Sequence, residues 1–280
     1  MAEQIGEQAA LHFYSTLFLT HPETRDLFPI GMAGQRDRLL AALGRIVSNV
    51  DDTESLVPFL QQLGRDHRKF AVTREHFPAV GEALLATLAH FLGDHWTEDL
   101  AQDWADAFAV VAKVMIEAAE GAAHNSPPWW EAEVVAHERR TLDVAVLQVS
   151  PNYRLDYRPG QSLSVECHLR PRLWRYFSPA NAPRPDGRIE LHVRHVPGGQ
   201  VSTALVQAVR VGDVLRIGPP VGHQLTLAQP ERDLLLIAGG TGLAPLRALI
   251  EQVAAEGGRR RVQLFLGART ERELYDLKTL

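Results

Sequence analysis

Cysteine is almost absent from this chain: there is one, Cys167, in 280 residues. No intrachain disulfide can form, which fits a reducing cytoplasm. Cys167 lies in the strand-like run 161–168 and reads as a small buried hydrophobe, not a reactive thiol. No run of about 18 apolar residues exists, so no segment is offered to span a bilayer. The N-terminus carries Glu3 and Glu7 and no basic region ahead of an apolar stretch, so no signal peptide is expected. Positive charge is not in excess either. A net charge of −5 and a pI near 6.2 give no global field that would draw nucleic acid or an anionic membrane. The run Arg259-Arg260-Arg261 is local, follows Gly257-Gly258, and reads as a solvated turn between a helix and a strand.

Proline is scarce in one part only. Residues 1–126 hold four of the 17 prolines, and the rest of the chain holds the other thirteen. Proline lacks the amide donor and clashes with the preceding helical turn, so its scarcity permits long helices. Pro127-Pro128, followed by Trp129-Trp130, marks the change. Two or three domains are expected from the length. In the first part, apolar residues recur at helical spacing over Ile5–Phe18, Gln35–Val50, Leu56–Arg68, Thr73–Leu92 and from Thr97 to about Ala123. Leu39, Leu43, Ile46, Val47 and Val50 would share one face. Pro58 would sit in the first turn of its helix, and Thr73 and Thr97 would act as caps. An all-helical domain of this kind has no obvious chemistry without a cofactor, and spacing alone singles out none of the twelve histidines.

After the junction the pattern is alternating and short. Val134–His137, Leu142–Val149, Gln161–His168, Ile189–His195 and Asp213–Gly218 read as strands of a small antiparallel barrel. Leu234–Ala238 is fully apolar, as a parallel strand buried on both faces should be. Gly239-Gly240-Thr241-Gly242 then leads through Pro245 into a helix with Leu246, Leu249 and Ile250. A strand, a glycine-rich turn and a helix make a phosphate-binding start. Val262–Gly267 is a second apolar strand. The fold class is therefore multidomain: an all-α domain over 1–126, an antiparallel β-barrel over 127–228 and a partial α/β nucleotide-binding domain over 229–280.

In the helical part, Phe13-Tyr14-Ser15-Thr16-Leu17-Phe18, Pro22-Glu23, Leu27-Phe28-Pro29, Gln35-Arg36, Asp66-His67-Arg68-Lys69-Phe70, Val80–Leu88 and Trp104 occur in an order that resembles the globin domain of flavohaemoglobins. The resemblance covers nearly all of 1–126. It implies haem b, with His67 as the iron ligand. It places Phe28 against the porphyrin, Tyr14 and Gln35 on the distal side, and Leu39 one turn beyond Gln35. Two departures stand out. A tyrosine and a glutamate that usually surround the ligand histidine correspond to Phe77 and Gly121, which predicts weaker electron push to iron-bound oxygen. Glu120 is adjacent but should face elsewhere, and Asp66 stands where lysine is common.

Three motifs of the barrel resemble the flavin domain of ferredoxin–NADP reductase-like proteins: Tyr157-Arg158-Pro159-Gly160-Gln161, Trp174-Arg175-Tyr176-Phe177-Ser178-Pro179-Ala180-Asn181 and Gly198-Gly199-Gln200-Val201-Ser202. The resemblance implies FAD. Arg175 would pair with its pyrophosphate, Ser178 would bond near the reactive N5 edge, and the amides of Gly198, Gly199, Gln200, Val201 and Ser202 would meet the pyrophosphate. Tyr157 would support the flavin or its adenosine. Phe177 replaces the family's tyrosine, and Tyr176, one position away, should face the other side of a strand. Behind such a domain, Gly239, Gly240, Thr241, Gly242 and Pro245 imply NAD(P)H.

Together these resemblances imply a cytoplasmic nitric oxide dioxygenase. Electrons would pass from NAD(P)H through FAD to haem, and dioxygen and nitric oxide would become nitrate. Oxygen binding and transport fall within the same chemistry; nucleic acid and an obligatory membrane do not. Two alternatives stay open: a flavohaem oxidoreductase fed by another small electron donor, and a gas-binding module unable to accept hydride. The family's later strands, its Cys-Gly-Pro segment and its aromatic tail have no counterpart in the sequence, so a truncated chain with weak nucleotide affinity and a less stable region after 228 is expected.

Overall fold

The computed structural model describes residues 2–227, 232–257 and 260–280, with the side chains of residues 2–5 outside the description. Gly258 and Arg259, and the expected domain boundary at 228–229, lie outside the described residues. The chain forms two compact units, Met1–Pro128 and Trp129–Leu280.

The first unit is helical: α1 (Ala2–Thr20), α2 (Ala33–Ser48), α3 (Thr53–His67), α4 (Phe77–Leu92) and α5 (Glu98–Ala123). Asp52 starts α3 by accepting from the Ser55 amide at 3.1 Å, three residues before the expected start. Pro58 consequently sits inside α3 and not in its first turn, so one intrahelical bond is lost. Thr73 and His76 form a reciprocal capping box, and its single tight turn, Arg74–His76, precedes α4. Thr97 caps α5 by accepting from the Leu100 amide at 3.2 Å.

α3 and α5 approach so closely that a Cβ on Gly64 would strike the Met115 backbone. The apolar stripe of α2 is the exception to helix burial. No residue of α2 is fully buried: Leu39 joins a core cluster, Leu43 and Ile46 are half-buried, and Val47 and Val50 are exposed.

The second unit begins with a six-stranded antiparallel sheet ordered β4-β3-β6-β1-β2-β5. Its strands are β1 (Trp130–Arg139), β2 (Val144–Pro151), β3 (Ser162–Cys167), β4 (Arg175–Phe177), β5 (Ile189–Arg194) and β6 (Val214–Val221). A bridge between Pro179 and Leu191 brings the two edges together, so the sheet is a nearly closed barrel. β1 starts earlier than expected because Trp130 pairs with Ile217. Leu142 is in no strand: it is exposed on the β1–β2 turn, which Thr141 pins by accepting from the Val144 amide at 3.0 Å. Between β5 and β6 lie α6 (Gln200–Thr203) and one wide helical turn, Ala204–Ala208.

β7 (Leu234–Gly239), α7 (Leu243–Glu256) and β8 (Val262–Gly267) complete the unit, with β7 and β8 parallel. β2 is buried on both faces. Ala145, Leu147 and Val149 point into the barrel core, while Val144 and Val146 pack with Leu236, Ala238, Leu243, Leu249 and Tyr275. β7 corrects the expectation of a strand buried on both sides: Leu236 and Ala238 face that cluster, but Leu235 and Ile237 are exposed. Parallel sheets are buried when helices cover both faces. Among the described residues, α7 is the one helix of the cluster that packs on this sheet, on the face it shares with β2 and Tyr275.

Candidate functional site

In the helical unit, Tyr14 of α1 is buried in one cluster with Phe13, Leu17, Phe18, Phe28 and Leu39. Its ring meets Phe28 edge-on at 5.4 Å. Burial pushes the Tyr14 hydroxyl up to about 12, against a hydrogen bond with Gln35 and the charge of Arg38. The phenol is therefore neutral at pH 7 and remains a hydrogen-bond donor. Tyr14, Gln35, Phe28 and Leu39, far apart in sequence, are thus brought together.

His67 ends α3. Its Nδ1 lies 2.7 Å from the Leu63 carbonyl oxygen, which can only accept, so Nδ1 carries the proton and Nε2 keeps a free lone pair. Burial lowers the His67 pKa, which favours this neutral form. A neutral imidazole with one nitrogen pinned to a backbone carbonyl is the state a metal-ligating histidine requires. Asp66 pairs with the buried Lys69 at 3.8 Å. Glu120 is committed to Arg74 at 2.9 Å, on an exposed face, and a Cβ added to Gly121 would meet nothing within 4 Å. Among the described residues, the partner of His67 Nδ1 is the Leu63 carbonyl and not a carboxylate. Phe77 occupies the first turn of α4.

In the barrel, β4 pairs with β3 so that Leu163 faces Phe177, Ser164 faces Tyr176 and Val165 faces Arg175. Arg175 and Tyr176 are exposed, whereas Phe177 packs on the barrel core. Ser178 Oγ lies 3.1 Å from Ser162 Oγ. Tyr157 is a core residue whose hydroxyl donates to the Asn181 carbonyl at 2.8 Å. It braces the 174–181 segment from beneath, a role its motif did not indicate.

Gly198 has φ +76°, and a Cβ on Gly199 would sit 2.7 Å from Ser202 Oγ. Ser202 Oγ accepts from the Val196 amide at 3.2 Å, and Val201 is buried, so both hold the turn in shape. The first-turn amides of Gln200, Val201 and Ser202 are those a helix start leaves to outside acceptors. At the other end of the unit, Gly239 closes β7, Gly240 takes φ +53°, and Gly240–Gly242 form a tight turn into α7, whose third residue is Pro245.

Family comparisons divide the chain in the same order. The globin family matches residues 11–115, the oxidoreductase FAD-binding domain residues 130–225, and the oxidoreductase NAD-binding domain residues 236–280. The flavohemoprotein of Bordetella parapertussis is 30% identical over 98% of this chain and 72% of its own length. That of Deinococcus radiodurans is 31% identical over 95% and 70%. The chain belongs to the flavohemoprotein family. A crystal structure of flavohemoglobin from Malassezia yamatoensis with bound FAD and heme superposes with a TM-score of 0.80 at 20% identity, covering all of this chain and 76% of that one.

This flavohemoprotein is accordingly an oxidoreductase that uses haem, FAD and nicotinamide nucleotide. Its residues fit those groups. His67 offers its Nε2, the Tyr14 cluster supplies apolar side chains and one hydroxyl donor, and Arg175 is an exposed cation at the barrel edge. Sequence reasoning missed a buried ionic cluster. Arg247 of α7 reaches Glu190 of β5 at 2.5 Å and Asp276 at 3.0 Å, and His192 lies 3.0 Å from Glu190 and 2.7 Å from the Tyr275 hydroxyl. The only signal was charge at positions reading as strand interior: Glu190 and His192 alternate with Ile189, Leu191 and Val193.

Proposed function

We propose that this flavohemoprotein is a nitric oxide dioxygenase that draws electrons from NAD(P)H and converts nitric oxide and dioxygen to nitrate in the cytoplasm. When bound, the flavin would split hydride into single electrons and the haem iron would supply the redox and gas-binding centre. The proposed division of labour is globin over 1–126, FAD barrel over 127–228 and nucleotide-binding part over 229–280.

One observation carries the reading: His67 is fixed as a neutral imidazole by the Leu63 carbonyl, in the same helical unit as a buried, neutral Tyr14 held by Gln35. His67 Nε2 would ligate iron. Tyr14 would donate a hydrogen bond from its hydroxyl to a bound polar gas ligand, with Gln35 orienting the phenol, while Phe28 and Leu39 would exclude water. In the barrel, Arg175 would meet the pyrophosphate of FAD as a charge-assisted donor. Ser178, fixed by Ser162, would present its hydroxyl beside the flavin ring. Phe177 would stack against the group, and Tyr176 would face the other side of β4. In the Gly198–Ser202 turn the Gly199 amide donates to the Val196 carbonyl at 2.8 Å, so the amides of Gln200, Val201 and Ser202 would complete the pyrophosphate site, and Gly239 to Pro245 would meet that of the nucleotide.

Anaerobic addition of NADH to purified holoprotein tests this. Flavin bleaching followed by haem reduction is expected, and then stoichiometric conversion of nitric oxide to nitrate on admission of dioxygen. Reduction without nitrate formation would refute the dioxygenase assignment. Absence of any reduction by either nicotinamide nucleotide would refute the electron path.

A further inference from the structure

A cleft of about 350 Å³ opens at the carboxyl ends of β7 and β8. Gly239 and Gly240 lie on one side, Gly267, Ala268 and Arg269 on the other, and Asp143, Arg194 and Glu273 close it. None of the flavin-motif residues lines it. Ligands of open parallel sheets sit outside the carboxyl ends of the strands, with pyrophosphate at the first glycine turn. The end of the next strand then reads the adenosine ribose: an acidic side chain suits a 2′-hydroxyl, an arginine suits a 2′-phosphate. Here the next strand is β8, and Arg269 lies two residues past its end at Gly267.

Arg269 is not left as an open cation. Its Nη2 donates to Glu273 Oε1 at 2.8 Å and its Nε to Oε2 at 3.3 Å. Across the cleft, Arg194 donates through Nε to Asp143 Oδ2 at 2.9 Å. The four side chains therefore alternate in sign around the opening and sum to zero charge. A ring of this kind gives a dianionic 2′-phosphate no net attraction, and the two carboxylates repel it. A ribose with free hydroxyls meets no such repulsion, and the carboxylates can accept from it.

We infer that Glu273, by chelating Arg269, makes this cleft select NADH over NADPH. The inference rests on the nucleotide-dependent reading above and names the determinant within it. Its test is equilibrium binding of two adenosine fragments, 5′-AMP and 2′,5′-ADP, to the full chain by calorimetry. Wild type should bind 2′,5′-ADP no more tightly than 5′-AMP. Glu273→Gln should shift the ratio about tenfold toward 2′,5′-ADP, the scale set by removing one negative charge beside a phosphate dianion at a water-exposed site. The shift should shrink at high salt and disappear in Arg269→Gln/Glu273→Gln.

A ratio unchanged by Glu273→Gln, or a wild-type preference for 2′,5′-ADP, would overturn the assignment of selectivity while leaving nucleotide use intact. If neither fragment binds and NADH fails to bleach the flavin, the electron path fails together with it.

Discussion

Arg247 should be the most costly single charge to remove from the second unit. Its side chain is 13% exposed and meets Glu190, 7% exposed, and Asp276, fully enclosed. Asp276 Oδ1 is buried with no hydrogen-bond partner among the described residues, so Oδ2 depends on this guanidinium. In Arg247→Met the volume is nearly kept but Asp276 is left as an uncompensated charge. Breaking a buried pair from one side costs about 3–5 kcal/mol. At roughly 3 °C per kcal/mol for a unit of this size, the melting midpoint should fall by roughly 10–15 °C. The damage should centre on α7 and the 271–277 segment, because Arg247 ties both to β5. Hydrogen exchange should report faster opening there, while the barrel core around Leu147 and Leu191 stays protected.

The same cluster has a pH signature. Burial works against ionised Glu190, but the hydrogen bond with His192 and the charge of Arg247 hold it down at about 2. A depressed carboxylate contributes stability above its ordinary pKa and loses it as pH falls through the folded value. From an ordinary 4.5 down to about 2, wild type should lose about 3 kcal/mol from this group. Replacing all three charges, as Arg247→Met/Glu190→Gln/Asp276→Asn, should recover much of the single-mutant loss, since removing both sides of a buried pair is close to neutral. A shift under 2 °C in Arg247→Met, measured by scanning calorimetry at pH 7, would show that water or protonation already relieves these carboxylates, and the reasoning would fail.

Four further outcomes are expected. His67→Ala should abolish the haem Soret band and leave flavin absorption intact; a normal haem spectrum would remove His67 from the iron. Tyr14→Phe deletes one hydrogen bond worth about 1.5–3 kcal/mol, so dioxygen dissociation should quicken by about one to two decades in flash photolysis. Arg175→Ala should release FAD on gel filtration without changing haem content; full flavin occupancy would misplace the pyrophosphate site. Gly64→Ala forces a Cβ into the Met115 backbone, so the helical unit should lose about 1–3 kcal/mol in urea melts, while a change under 0.5 kcal/mol would mean that α3 and α5 part freely.

Periodicity located most elements, because the residues that set it are local. Thr97 capping α5 and the glycine turn after β7 are signals within a few positions of what they control. What sequence could not supply was the number of faces each element buries. Leu234–Ala238 and Val144–Val149 look alike as largely apolar runs, yet β2 lies between two cores and β7 has one bare face, because α7, β2 and Tyr275 all meet its other face. The stripe of α2 is similar: an apolar face is an offer of contact, and it is taken up at Leu39 but not at Val47 or Val50.

The candidate site divides along a similar line. His67 and Tyr14 were marked by resemblance, but chemistry at each depends on a partner with no sequence signature. Leu63 enters through a backbone carbonyl that any residue would provide, and Tyr157 through a bond to the carbonyl of Asn181. The partner of His67 also bears on function. A backbone carbonyl accepts a hydrogen bond without a full negative charge, whereas a carboxylate in that place would draw the Nδ1 proton and enrich the imidazole as a donor. Glu120 cannot serve while it holds Arg74, and Gly121 has no side chain to offer. A weaker push on iron-bound oxygen is therefore a proposal, and a carboxylate introduced at the exposed Gly121 tests it. Gly121→Glu should raise the iron–histidine stretching frequency in resonance Raman spectra if the new carboxylate reaches Nδ1. An unchanged frequency would mean that position 121 cannot reach His67.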